Sequence, residues 1–231
     1  RAGSETGLDL RREDGGTPEP SECIRQEHST DASAKLAGGA PTWAKTKERI
    51  VPEDLFRPSL EGAHHYAYVV ENIETTVERL AKQLGAGPFF LVENVPLENV
   101  TSRGEPAEFV HHSAFGCCGG DPIELMEIGR LVPERIEGRF SGARPGVHHV
   151  AWAVPPASVE DLRRELEDRG LPEYLSAQLG ELDITFHDAS ASLGHDIEIH
   201  VDSQGLRDFF QMVREGAEGW DGSAPLRPAA A

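Results

Sequence analysis

The sequence predicts an α+β fold built from one module used twice, and three observations carry that prediction. The stretch Gly146-Val147-His148-His149-Val150-Ala151-Trp152-Ala153-Val154 repeats the layout of Gly62-Ala63-His64-His65-Tyr66-Ala67-Tyr68-Val69-Val70, and each puts a His pair at the head of an apolar strand. After each strand come a polar cap, an amphipathic helix and a Gly. Each half later carries a short strand with a Glu between aliphatic residues, Ile123-Glu124-Leu125 and Ile197-Glu198-Ile199.

Composition narrows the function classes. The chain has 231 residues, enough for two small modules sharing a core. Only 38% of them are hydrophobic and no long apolar run occurs, so no membrane partner is expected. With 22 basic and 40 acidic residues the formal charge is -18, which repels phosphate backbones and anionic lipid, and nucleic acid is not expected as a partner either. Cys23 and the adjacent Cys117 and Cys118 make neither a disulfide framework nor a spaced zinc-knuckle pattern. A reducing, cytoplasmic location is expected, and no signal-peptide core is visible in these residues.

Taken in order, residues 1–47 hold few large apolar side chains and read as a disordered or extended segment. Ile50, Val51, Leu55 and Phe56 are the first residues able to anchor it. Residues 48–130 form the first module. His65 to Val70 reads as a strand, Asn72 as a helix cap, and Ile73, Val77, Leu80 and Leu84 as one helical face that Gly85 ends. Strands are predicted at 88–92, 107–112 and 122–128, the last entered through the turn Gly119-Gly120-Asp121-Pro122.

Residues 131–145 lack a clear period and form the connection. The second module spans 146–203, with a strand at 147–154, a capping box from Ser158 to Asp161, and a helix whose buried stripe is Val159, Leu162 and Leu166. Gly170 ends that helix, and strands follow at 172–179, 182–187 and 195–201. Residues 204–231 hold a helix marked by Leu206, Phe209, Phe210 and Val213, then a flexible tail. This helix has no counterpart in the first module, and plain core packing is its expected use.

Strand alternation decides which side chains share a face. Ile123 and Leu125 go under a helix, which sends Glu124 and Met126 to the opposite, concave side. Ile197 and Ile199 likewise leave Glu198 and His200 facing inward. His149 falls with the small residues Ala151 and Ala153, and His65 with Ala67 and Val69. Four strands thus offer one inward side chain each, and the pattern predicts one divalent ion per chain held by His65, Glu124, His149 and Glu198. Two imidazoles and two carboxylates suit Zn, Ni, Co, Mn or Fe without choosing among them.

Other polar residues take lesser parts. His200, Met126 and one of His111 and His112, with His111 preferred, are expected to meet substrate or support a ligand. His64 and His148 point away from their neighbours in the ligand set. His187 and His195 lie near strand ends, where a solvent-facing position is as good a reading as a functional one. Glu127 falls on the helix side, against the apolar pattern.

At these residues the chain resembles the vicinal oxygen chelate superfamily, the glyoxalase I and methylmalonyl-CoA epimerase type of protein, from about Ala63 to Ser203. The resemblance rests on His65 to Val70 with its helix, Ile123-Glu124-Leu125, His149 to Val154 with its helix, and Gly194 to Ile199. It implies paired βαβββ modules whose sheets curve, barrel-like, around a metal site with the helices outside, and it carries His65, Glu124, His149 and Glu198 over as ligands. The His/Glu/His/Glu set is like that of bacterial glyoxalase I, whereas methylmalonyl-CoA epimerases usually have Gln where this chain has Glu124.

The function expected on this basis is a metal-dependent isomerase, epimerase or lyase acting on a small oxygenated metabolite, with Glu124 and Glu198 moving a proton alpha to a carbonyl. Two other classes compete. An Fe(II) extradiol-type dioxygenase would need only two His and one Glu, and a non-catalytic drug-binding protein would need no metal set. A homodimer is the expected assembly.

Overall fold

The computed structural model describes residues 64–136, 138–140 and 146–229, so the expected N-terminal segment lies outside the described residues. The first half of the described chain runs β1 (His65–Val69), α1 (Ile73–Leu84), β2 (Phe89–Val92), β3 (Glu98–Ser102), β4 (Glu105–Pro106), β5 (Glu108–Cys118) and β6 (Asp121–Val132). The second runs β7 (His149–Val154), α2 (Val159–Asp168), β8 (Glu173–Leu179), β9 (Leu182–His187), the short α3 (Ser190–Leu193) and β10 (Asp196–Val201). A last helix, α4 (Gln204–Ala217), leads to β11 (Leu226–Pro228). The class is α+β, and the strands join in one curved, open, mixed sheet of order β11-β2-β5-β6-β1-β7-β10-β9-β8-β3-β4. No helix among the described residues is long and apolar enough to cross a membrane.

The centre of this sheet is symmetric. β1 pairs antiparallel with β7, setting Ala67 opposite His149 and Ala151 opposite His65. Outside them β6 runs parallel to β1 with Glu124 opposite Ala67, and β10 runs parallel to β7 with Glu198 opposite Ala151. Residues opposite one another in a ladder project to the same face. Each alanine is therefore flanked by a His on one side and a Glu on the other, and both alanines are fully buried.

The helices close the other face. Asn72 accepts a hydrogen bond from Thr75 N at 2.8 Å, and Gly85 ends α1 in the left-handed conformation (φ 64°) that a residue without Cβ adopts at no steric cost. Between these caps, Ile73 and Val77 bury against Ala86, Phe89, Ala114, Ile123 and Leu125. Burying one such aliphatic side chain contributes roughly 1.5–3 kcal/mol. Glu127, which disturbs the apolar pattern of β6, accepts from Ile73 N at 2.8 Å. A carboxylate there satisfies an unpaired amide and meets the positive end of the helix dipole.

On α2, Val159, Leu162 and Leu166 pack against Val154, Ala189, Ile197 and Ile199. The expected capping box is absent. Ser158 ends a single turn of 3-10 helix, its backbone is already helical (φ -110°, ψ -8°), and its hydroxyl caps nothing. An N-cap acts from extended backbone, which the preceding turn denies to Ser158.

Three strands escape the sequence pattern. β3 leaves the first half to pair with β8 at the far side of the sheet, and β4 turns back on it. Polar residues and the positive φ of Asn99 and Arg103 hide any alternation there. In the tail expected to be flexible, β11 pairs in parallel with β2 through Leu226 and Phe89. β5 and β6 also extend well past their predicted ends, to Cys118 and Val132, because each completes the other's hydrogen bonds.

Gly116 on β5 offers a test of this packing. A Cβ there would lie 2.7 Å from the ring of fully buried Phe89 and 2.9 Å from the Pro88 carbonyl, neither of which has room to retreat. Gly116→Ala is expected to cost about 1–3 kcal/mol of stability. A urea midpoint equal to the parent's, with unchanged slope, would contradict it.

Candidate metal centre

The register of β6, β1, β7 and β10 brings four ionisable side chains to one point. His65 Nε2 lies 3.1 Å from Glu124 Oε2 and 3.4 Å from Glu198 Oε2, while His149 Nε2 lies 3.4 Å and 3.1 Å from the same two oxygens. Donor atoms of the four all fall within 4.8 Å of one another, and every one of these residues is buried. Neighbouring donors on a divalent ion, with bonds of roughly 2.0–2.2 Å, stand about 3.0–3.5 Å apart. The spacing fits.

Orientation fits as well. His149 Nε2 and Glu198 Oε2 are buried, yet neither makes an aligned hydrogen bond among the described residues. Buried polar atoms are rarely left so. Close approach without alignment is what results when lone pairs converge on a shared position.

Each member is held from behind. Ser113 on β5 donates to Glu124 Oε1 at 2.6 Å. His200 Nε2 sits 3.0 Å from Glu198 Oε2. His64 and His148 do not turn away from their neighbours: the Nδ1 atoms of His64 and His65 are 3.2 Å apart, and those of His148 and His149 are 3.0 Å apart. Both residues stand just before their strands begin, at His65 and His149, where strand alternation does not apply. The base of β10 is anchored by Asp196, whose amide donates to His148 O and whose carboxylate accepts from Tyr174 and Arg139.

The electrostatics follow from burial and neighbours. Burial pushes the Glu124 and Glu198 carboxyls up, but the imidazoles of His149 and His65 beside Glu124, and of His200 and His149 beside Glu198, outweigh it and hold both well below the carboxylate range. Burial depresses His149, and the two carboxylates more than compensate, raising it to about 10; His65 moves the same way. His64 and His148, buried and each next to a second imidazole, fall to about 3.

Above the four lies a cavity of about 620 Å³. Met126, His111 and His200 line it, as the alternation predicts, and His111 is the inward member of its pair while His112 accepts from Asn94 N. His187 is a correction: it is fully buried, donates through Nδ1 to Leu171 O, and lies off the cavity. His195 is partly exposed and donates to Asp196 O. Sequence reasoning missed Ser113, although it shares His111's face two residues on. It also assigned α4 to plain packing, whereas Phe209 and Phe210 line the cavity and Phe210 stacks on His65 at 5.4 Å and 6°. Of the vicinal cysteines, Cys117 is buried with Sγ 3.9 Å from Val213 O, so it packs under α4.

The pairing has a measurable pH signature. The pKa of His149 is raised on folding, so its contribution to stability is complete below its unfolded value near 6.5 and is lost as pH climbs through about 10. In chelator-treated protein, the melting-temperature gap between the parent and His149→Gln is expected to narrow from pH 6.5 to 10.5. A gap constant over that range would refute the assignment.

Comparison with known proteins shows the family. A family model described as the Glyoxalase/Bleomycin resistance protein/Dioxygenase superfamily matches residues 64–186. Among solved structures, a hypothetical protein from Bacillus halodurans is 21% identical over 62% of this chain and 95% of its own, with a TM-score of 0.41. Methylmalonyl-CoA epimerase from Mycobacterium tuberculosis is 19% identical over 67% of this chain and 97% of its own, with a TM-score of 0.41. The Streptomyces coelicolor methylmalonyl-CoA epimerase in complex with 2-nitronate-propionyl-CoA is 21% identical over 63% and 97%, with a TM-score of 0.35. No curated protein matches the sequence. Because the family model spans more than half of the chain, from the first His pair through β9, the chain belongs to the Glyoxalase/Bleomycin resistance protein/Dioxygenase superfamily, the vicinal oxygen chelate proteins.

Proposed function

We propose that the chain is a metal-dependent isomerase, epimerase or lyase that removes a proton alpha to a carbonyl in a small oxygenated metabolite. The observation that carries the reading is the ring of four buried donors, imidazole and carboxylate alternating at 3.1–3.4 Å. His65 and Glu124 from residues 48–130, and His149 and Glu198 from residues 146–203, would hold one divalent ion. Such an ion withdraws charge from a chelated carbonyl and makes the neighbouring C–H more acidic.

The side chains then divide the work. Glu124 has its Oε1 fixed by the Ser113 hydroxyl, whereas Glu198 has no hydroxyl donor among the described residues and its Oε2 makes no aligned hydrogen bond. Glu198 is therefore the freer carboxylate and the one to accept the proton, with Glu124 the steadier ligand. His200, beside Glu198, steadies the negative charge that the carboxylate carries before it accepts the proton and after it returns it. For His65 and His149 to present Nε2 lone pairs inward, each must carry its proton on Nδ1 and donate it to His64 or His148. The oxygenase reading requires Glu124 to stand away from the other three, and its Oε2 is within 3.4 Å of both imidazoles. A cytoplasmic homodimer completes the proposal.

Three outcomes are expected. Protein purified without chelator carries close to one equivalent of divalent metal per chain, and Glu124→Ala loses most of it; full metal in that variant would defeat the four-ligand site. Glu198→Gln keeps metal but slows exchange of substrate C–H in D2O by roughly 10²–10⁴-fold, and exchange at the parent rate would remove Glu198 from the proton path. His148→Phe, which keeps the ring but not the hydrogen bond, weakens metal affinity about 10–100-fold. Unchanged affinity would show that His148 does not orient His149.

A further inference from the structure

The cavity over the four donors is walled by aromatic rings. Phe109, Phe115, Phe186, Phe209 and Phe210 all line it, five of the nine phenylalanines in the chain. They meet edge to face: Phe115 and Phe209 at 5.1 Å and 90°, Phe115 and Phe210 at 5.7 Å and 86°, Phe109 and Phe186 at 6.2 Å and 78°. Phe115 and Phe209 are only half-buried, so their rings keep surface open to a further ring inserted beside them.

The polar lining points to the same occupant. Apart from the donors, His200 and Ser113, the buried polar side chain is His111, stacked flat on Phe109 at 4.2 Å and 15°. Its Nδ1 has no partner among the described residues. Alternation along β5 puts it roughly 7 Å from Ser113, one side-chain repeat further from Glu124. Exposed Glu181 lines the cavity too, while no lysine or arginine among the described residues does. A phosphorylated or polycarboxylate handle would meet an acid there rather than a cation, in a chain of net charge -18.

We infer that the cavity takes an aromatic molecule whose chelating oxygens lie at one end and whose ring sits among these phenylalanines, rather than a CoA thioester or a phosphorylated metabolite. The inference rests on the metal reading above, because the donors select the chelating end. The ring selects the rest. A single oxygen or nitrogen substituent on the ring side is matched by His111.

Matched probes separate the two ideas. Metal content is first measured by elemental analysis of zinc-reconstituted protein, and 3-phenyllactate, lactate and acetyl-CoA are then titrated calorimetrically. The two hydroxy acids share one chelating end and differ only in the ring. Expected is at least tenfold tighter binding of 3-phenyllactate than of lactate, a ratio that contracts to threefold or less in Phe209→Ala with metal content retained. Equal affinities, or tighter binding of acetyl-CoA, in metal-loaded protein would overturn the aromatic assignment and leave the metal reading standing. If no metal binds, the metal reading fails, and phenylacetate against acetate on the same protein decides the aromatic assignment: a tenfold preference for phenylacetate upholds it, and equal affinities end it.

Discussion

The antiparallel pairing of β1 with β7 sets the geometry of the whole candidate centre. It sets Ala67 against His149 and Ala151 against His65, and the parallel partners β6 and β10 then bring Glu124 beside Ala67 and Glu198 beside Ala151. A shift of one residue in that register would turn each imidazole to the helix side. A larger side chain at either alanine would occupy the space into which the four donors point. The smallness of two residues is as much part of the centre as the four that carry charge.

Assembling four ionisable groups in a buried position costs free energy unless each is compensated. Compensation here is layered. Opposite charges face each other across the centre, Ser113 and His200 attend the two carboxylates, and His64 and His148 attend the two imidazoles. The supporting groups lie on β10 with one donor, on β5 next to another, or in the residue just before β1 and β7. Backbone geometry, rather than flexible loops, sets their distances.

Much of this was legible beforehand because it depends on period-two alternation. Ile123 and Leu125 pack under α1, and Ile197 and Ile199 under α2, so the residues between them had one face left. The pairing of His64 and His148 with their neighbours was not legible, since alternation places adjacent residues on opposite sides and these two stand just before their strands begin, where alternation no longer holds. β3, β4 and β11 lack alternation because they are short strands at or next to the sheet's two edges, and their partners, not their own sequence, define them. Glu127 looked like a defect in a strand and is a partner for a helix amide, a relation between residues 54 apart that no local pattern contains. α4 showed its apolar face clearly, but a face that covers a cavity and a face that covers a core have the same period.

The last helix also changes the symmetry of the centre. Strands β6, β1, β7 and β10 are related by an approximate twofold axis, and a site made of them alone would present equivalent surroundings, related by that rotation, to the two sides of a planar molecule. α4 follows only β10, and its Phe210 lies flat on His65, whereas His149 meets Phe186 of β9 edge-on at 5.2 Å and 84°. The two faces of any molecule held there are thus unlike. The two sides are told apart through one helix that the duplicated sheet does not repeat.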